Sequence, residues 1–276
     1  MLNAVGPEPA MGGLCIIRGG GDLATGIAWR LTRSGWAVIV TELDRPLTVR
    51  RTVSLSSAVV DGTVDVEGMV GRLTTVSEAA AVARSGQVAV LISPELPRFD
   101  SALDGGVVAV VDARLAKRNI DTTLADALVV VGVGPGFTVG VDCHVVIETQ
   151  RGPRLGRVLY EGSAAPDTGT PGIVDGRGAE RVLRSPGAGE VRWSRAIGDL
   201  VQCGERLGMV GDAEVCAPFD GVVRGLILDR MSVRQGLKIG DIDPRLDVSC
   251  HEISDKALAI GGGVVEAVGW LSPPWS

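Results

Sequence analysis

Apolar residues first gather in short runs and then recur at helical spacing. Leu14, Ile16 and Ile17 form a run that breaks at Gly19, Gly20 and Gly21. Ile27, Leu31 and their neighbours then recur until Gly35, and residues 36–40 form a second run that ends beside Glu42. This pattern predicts a buried strand, a glycine turn, an amphipathic helix and a second strand. Further apolar runs follow at QVAVLISP, at residues 107–111, in ALVVVGVGPGFTVG, and in CHVVIETQ and LGRVLYEG. SEAAAVARSG reads as a short helix between two of them, and RPLTVRRTVSLSSAVVDG as helical in its middle. Apolar strands alternating with helices predict an α/β chain with a Rossmann-like, doubly wound, mostly parallel sheet.

The segment of residues 163–178, rich in Gly, Pro, Ser and Thr, reads as a domain connection. A two-fold repeat follows. SPGAGEVRWSRAIGDLVQCGERLGMV matches APFDGVVRGLILDRMSVRQGLKIGDI at an offset of about 32 residues, pairing Pro186 with Pro218, Val191 with Val223 and Gly204 with Gly236. The repeat resembles the biotinyl/lipoyl barrel-sandwich fold. Its central hairpin, MVGDAEVCAP, has no lysine to modify, so a covalent carrier is excluded. The expected layout is an α/β domain over 12–182, an inserted all-β barrel-sandwich module over 183–245, and a return to the α/β domain over 246–276. The Gly261–Gly263 triplet weakens a plain helix and points to close backbone packing or a strand-to-helix turn.

In a parallel sheet, ligands lie beyond the carboxyl ends of the strands. Three groups are expected at that edge. The first is the turn Gly19, Gly20, Gly21, Asp22, Ala24 and Thr25, a G-x-G-x-x-A pattern at a helix N-terminus, where free N–H groups suit a phosphate. Glu42 follows Gly21 at the offset of an acid that accepts from a ribose hydroxyl. The second is Asp112 with Arg114 and Lys117, and the third is the glycine turn holding Gly134 and Gly136. These residues are the expected cofactor contacts, for a nucleotide such as NAD or another phosphate-bearing ligand.

Composition narrows the partners. A net charge of -6 and a pI near 5.1 argue against a nucleic-acid surface. No apolar run reaches membrane-spanning length, and the opening residues lack the pattern of a signal peptide, so the expectation is cytoplasmic, with no membrane partner. Five scattered cysteines without C-x-x-C read as reduced thiols. Only Lys117, Lys238 and Lys256 break an otherwise arginine-only set of cations, and a lysine is the more tunable base. Both histidines follow a cysteine, at Cys143-His144 and Cys250-His251, but neighbours on a strand face opposite ways and no metal site is expected. Cys250 lies in a polar stretch with Lys256, which suits a stabilised thiolate; Cys250, His144 and Lys256 are the expected catalytic residues.

Taken in order, IIRGGGDLATGIAWRL, VVDARLAKRN, VGVGPGF, PDTGTPG, ERVLRSP, KIGDIDPR and ISDKALAIGGGVVEA resemble the YqeB-like accessory family of selenium-dependent molybdenum hydroxylase systems. The resemblance implies an accessory protein, akin in role to XdhC-type proteins, that binds a molybdenum cofactor (a pyranopterin) or nucleotide and matures a molybdenum hydroxylase alongside selenium-donor proteins. Cys143 stands where the family carries an aliphatic residue and His251 where it carries an aromatic one, which leaves His144 and Cys250 as the candidates. Two alternatives stay open: an NAD-dependent oxidoreductase, and a non-catalytic scaffold that docks a hydroxylase. Homo-oligomerisation also stays open.

Overall fold

The computed structural model describes residues 13–99, 106–169 and 172–271. They divide into two compact units. The first holds the chain up to Asp44, Leu55–Asp167 and the chain from Ile253; the second holds Arg45–Ser54 and Thr168–Glu252.

In the first unit the apolar runs become strands: β1 (Leu14–Arg18), β2 (Ala37–Glu42), β3 (Thr63–Val66), β4 (Met69–Leu73), β5 (Val88–Ile92), β6 (Val107–Asp112), β7 (Val129–Val133), β8 (Val145–Ile147) and β9 (Val158–Leu159). They make one sheet in the order β3-β4-β5-β2-β1-β6-β7-β8-β9. β1, β2, β6 and β7 are mostly aliphatic runs that bury nearly every side chain. Such strands belong in a sheet interior, where both faces are covered. Neighbours from β4 to β8 are parallel. The two outer strands are not: β3 runs antiparallel to β4, and β9 antiparallel to β8. The β3–β4 turn is Glu67-Gly68, both at positive φ (50° and 80°), the geometry a two-residue hairpin favours.

The helices are α1 (Asp22–Arg33), α2 (Ala58–Asp61), α3 (Val76–Arg84) and α4 (Asp255–Leu271). α1 buries Leu23, Ala24, Ile27, Ala28 and Leu31, the stripe read from the sequence. α4 runs unbroken through the glycine triplet. The reason is its packing on α1: a Cβ on Gly26 would lie 2.6 Å from that of Ala257, and one on Gly261 would lie 2.6 Å from the Gly26 carbonyl oxygen. The two helices meet backbone to backbone, so the propensity lost to glycine is offset by contact.

The second unit contains β10 (Val182–Arg184), β11 (Gly189–Trp193), β12 (Leu200–Val201), β13 (Arg206–Val210), β14 (Ala213–Cys216), β15 (Gly221–Leu226), β16 (Ser232–Val233) and β17 (Lys238–Asp243). They form two four-stranded sheets, β10-β17-β15-β12 and β14-β13-β11-β16. The repeat maps β11, β12 and β13 onto β15, β16 and β17. Its two copies exchange their shortest strands, since β12 pairs with β15 and β16 with β11. Val191, Val201, Val223 and Val233, equivalent in pairs, share one core with Leu207 and Ile239.

The expected fold class is corrected by these topologies. The large sheet is mixed, closed at both ends by antiparallel strands, and is not a Rossmann-like doubly wound sheet. Among the described residues the β6–β7 connection carries one 3-10 turn, Leu124–Asp126, where a doubly wound fold needs a helix, and the β7–β8 connection carries none. The all-β part consists of two antiparallel sheets, and the barrel-sandwich insert is withdrawn with the rest of that reading.

Candidate functional site

The turns that leave β1, β6 and β7 pack against one another along the carboxyl edge of the sheet. A Cβ on Gly19, which sits at φ 93°, would lie 3.2 Å from backbone atoms of Ala113 and Arg114. One on Gly136, at φ 107°, would lie 2.5 Å from the Arg118 backbone. The Asn119 N–H donates to the Gly136 carbonyl at 3.0 Å, and the Gly134 N–H to that of Ile147 at 2.9 Å. Three of the expected segments thus form one continuous rim. Their glycines are needed for backbone contact whether or not a ligand binds.

The first turn is closed by Glu42. Its Oε1 accepts the Gly20 N–H at 2.9 Å and its Oε2 the Leu43 N–H at 2.6 Å. Glu42 was expected to meet a ribose; its oxygens instead bind the protein's own backbone. Thr25 is also reassigned: its buried hydroxyl donates to the Gly21 carbonyl at 3.0 Å and accepts the Leu55 N–H at 2.9 Å, pinning α1 to the next segment. What the turn does present is a helix start. Gly21 caps α1 with no side-chain bond, and the first intrahelical bond runs from the Thr25 N–H to the Gly21 carbonyl, 2.9 Å. The N–H groups of Leu23 and Ala24 therefore have no acceptor within the helix, and they lie where the helix dipole favours an anion.

The charged end of β6 satisfies itself. Asp112 is 2% exposed and accepts from Arg114 through Nε at 3.0 Å and from the Thr122 hydroxyl at 2.7 Å. Arg18, 1% exposed at the end of β1, donates to that hydroxyl at 3.0 Å and to Asp121 at 2.9 Å. The hydrogen bond from Arg18 holds the Asp121 carboxyl below its ordinary range, with Arg114 adding to it. Burial works against the Arg114 charge, yet Asp112 and Asp121 raise its pKa. Asp112 and Arg114, expected as ligand contacts, are corrected to a buried brace beneath the rim. Lys117 differs. It stands at φ 62°, two residues after Leu115 at φ 53°, and its exposed amine pairs with Asp167 at 2.6 Å. Two left-handed residues that are not glycine, so close together, mark a loop held in strain by its surroundings.

Lys256 opens α4 on the same rim. It is half-buried and makes no ion pair among the described residues. Burial lowers its amine below the ordinary lysine range and Arg151 lowers it further, while Asp22, Glu148 and Asp255 oppose the shift. Glu148 was not found in the sequence. It is 2% exposed, and its Oε1 accepts the Thr149 and Gln150 N–H groups at 2.7 Å while its Oε2 accepts that of Ala165 at 2.8 Å. Only its place at the end of the apolar VVI run signalled it.

Two of the three expected catalytic residues are corrected. His144 Nδ1 accepts the Val130 N–H at 3.0 Å, and the His144 N–H donates to the Val130 carbonyl at 2.8 Å, so this side chain stitches β7 to the start of β8. Its neighbour Cys143 is buried, which pushes its thiol up to about 11. Cys250 belongs to the second unit and is 4% exposed, its Sγ 3.8 Å from the Val223 carbonyl. Burial pushes the Cys250 thiol above its ordinary range, with Asp243 adding to the rise and Arg224 and Arg50 opposing it. The thiolate stabilised by Lys256 is replaced by a protonated, packed thiol. Among the described residues no cluster of three or more His, Cys, Asp or Glu is placed to hold a metal, and no helix is long and apolar enough to cross a membrane.

No protein-family model matches the chain. It is 46% identical over 257 residues to the uncharacterized protein YqeB of Escherichia coli (strain K12), a stretch that covers 92% of this chain and 47% of that protein. The chain thus spans about half the length of the curated relative it matches. Among solved structures it is similar to a succinylglutamate desuccinylase/aspartoacylase from Rhodobacter sphaeroides, at 21% identity over 26% of this chain and 25% of that one, TM-score 0.23. It is also similar to an aspartoacylase family protein from Mesorhizobium loti, at 11% identity over 85% and 86%, TM-score 0.26. At those scores neither likeness transfers an activity.

Proposed function

We propose that this chain is a YqeB-like accessory protein that binds the phosphate end of a molybdenum cofactor or a nucleotide at the rim, in the maturation of a selenium-dependent molybdenum hydroxylase. The observation that carries the binding step is the uncapped start of α1. Leu23 and Ala24 offer N–H groups without helical acceptors, and the Lys256 amine, which has no ion pair among the described residues, lies on the same edge. Those donors fit a phosphate: backbone N–H groups and a dipole orient it, and an ammonium group neutralises it. The role in hydroxylase maturation rests on the resemblance of the motifs, and the 46% identity to YqeB supports the kinship without assigning a task. Glu42, spent on the Gly20 and Leu43 N–H groups, speaks against the dinucleotide alternative.

The test is mass spectrometry of small molecules retained by the protein when purified from a host that makes molybdenum cofactor. A phosphate-bearing pterin or nucleotide should co-purify with the native chain and be lost from a folded Gly21→Asp variant, whose carboxylate would stand where the phosphate sits. Equal retention by both forms would remove the rim as the site.

A further inference from the structure

We propose that a cleft in the second unit is a thiol-exchange site, which takes a small zwitterionic thiol of the kind glutathione represents and holds it as a mixed disulfide on Cys203. The inference is independent of the reading of the rim. The cleft has a volume of about 450 Å³, with Cys203 on its lining and Pro218 and Pro244 among its walls. The Cys203 thiol is exposed, its Sγ 3.4 Å from the Pro218 carbonyl.

Charges of both signs line the same space, placed as a zwitterion needs them. Arg177 lies with its guanidinium over the Phe219 ring, 4.8 Å from the centroid. Stacking fixes the plane of the fork and leaves its edge for a carboxylate. Among the described residues its one ion pair, to Glu180, is loose at 3.9 Å and half-exposed on both sides, so a ligand carboxylate can replace it at little cost. Asp220 spends one oxygen on the Cys203 N–H, at 2.7 Å, which ties the backbone of the thiol to the cleft wall and leaves the other oxygen for an ammonium group. Asp175 adds a second carboxylate from the tight turn between Val174 and Arg177, where it holds φ 45°. A disulfide with carboxylates and an ammonium group would therefore be held by its charges while its sulfur meets Cys203.

The step is simple exchange. The Cys203 thiolate attacks one sulfur of RS–SR, that S–S bond breaks, and a new one forms to Cys203. The departing RS⁻ takes up the proton that the Cys203 thiol released, and the disulfide itself is the oxidant.

Cys216 supplies the control, because it is exposed too but lies on β14, opposite Arg206 and outside the cleft lining. The native chain is incubated with glutathione disulfide, and with uncharged hydroxyethyl disulfide in parallel, and each cysteine is followed by peptide mass mapping. With glutathione disulfide Cys203 should react about tenfold faster than Cys216, and Arg177→Ala should remove most of that lead. With the uncharged disulfide the two cysteines should react alike, and the arginine variant should change nothing. Equal rates at both cysteines with glutathione disulfide, or a slowing by Arg177→Ala that is the same for both disulfides, would overturn the proposal.

Discussion

The Gly20 N–H donates to the Glu42 carboxylate across 2.9 Å, so the acid at the end of β2 closes the glycine turn that follows β1. Removing it orphans two backbone donors. Glu42→Ala should lower unfolding free energy by about 1–3 kcal/mol in urea titrations. A side chain kept only for a ligand would leave stability unchanged.

Gly26 and Gly262 make a matched pair of opposite sign. Gly26→Ala gains helix propensity but drives a methyl into Ala257, and should destabilise by about 1–3 kcal/mol. A Cβ on Gly262 meets nothing within 4 Å, so Gly262→Ala should stabilise by about 0.5–1 kcal/mol. Thermal unfolding of the two variants beside the parent decides it.

Thr122 is the hub between Arg18 and Asp112. Thr122→Val keeps the shape and removes the hydroxyl's bonds to Arg18, Arg114 and Asp112, and should cost about 1–3 kcal/mol. The same brace gives an acid limb to stability. Asp121 is held below its ordinary range, so its contribution is complete above that range and fades as pH falls through the lowered folded-state value. Asp121→Asn should flatten that limb in pH-dependent melting.

Lys256 carries the reverse sign. Its amine is depressed, so the protonated form costs stability below the folded-state value, and the cost disappears as pH rises toward the ordinary lysine range. Lys256→Met should raise Tm at neutral pH and change it little at strongly alkaline pH. Among the three lysines, Lys256 should also be the first to be acylated at neutral pH, read by peptide mapping.

Cys250 should resist alkylation in the native chain and react only on unfolding, because it is packed against the Val223 carbonyl with its thiol pushed up. Rapid labelling of the folded protein at Cys250 would contradict its packing against Val223.

What was legible in the chain follows from periodicity. β1, α1 and β2 were readable because each buries a regular set of positions, and the repeat was readable because its two copies keep one offset. The β3–β4 hairpin was missed: its strands TVDV and MVGRL alternate weakly and leave only a third of their residues fully buried. Roles were harder than elements. Glu42, His144 and Cys250 were read from their neighbours in sequence, whereas their tasks are set by Gly20, Val130 and Val223, which are distant along the chain. Arg18 and Glu148 were passed over because each is a single charge at the tip of an apolar run, a pattern that only tertiary structure distinguishes from a strand end in water.

The meeting of α1 and α4 also orders events during synthesis. The surface of α1 around Gly26 is synthesised long before its cover, which begins at Ala257. Until then the nascent first unit holds an apolar helix face without a partner, while the strands from Val182 to Asp243 can already pair with near neighbours. Closure across so long a separation is slow, and the waiting face is a natural place for a chaperone to hold. A chain released before α4 is made would therefore carry the strands of both units and still behave as a misfolded protein.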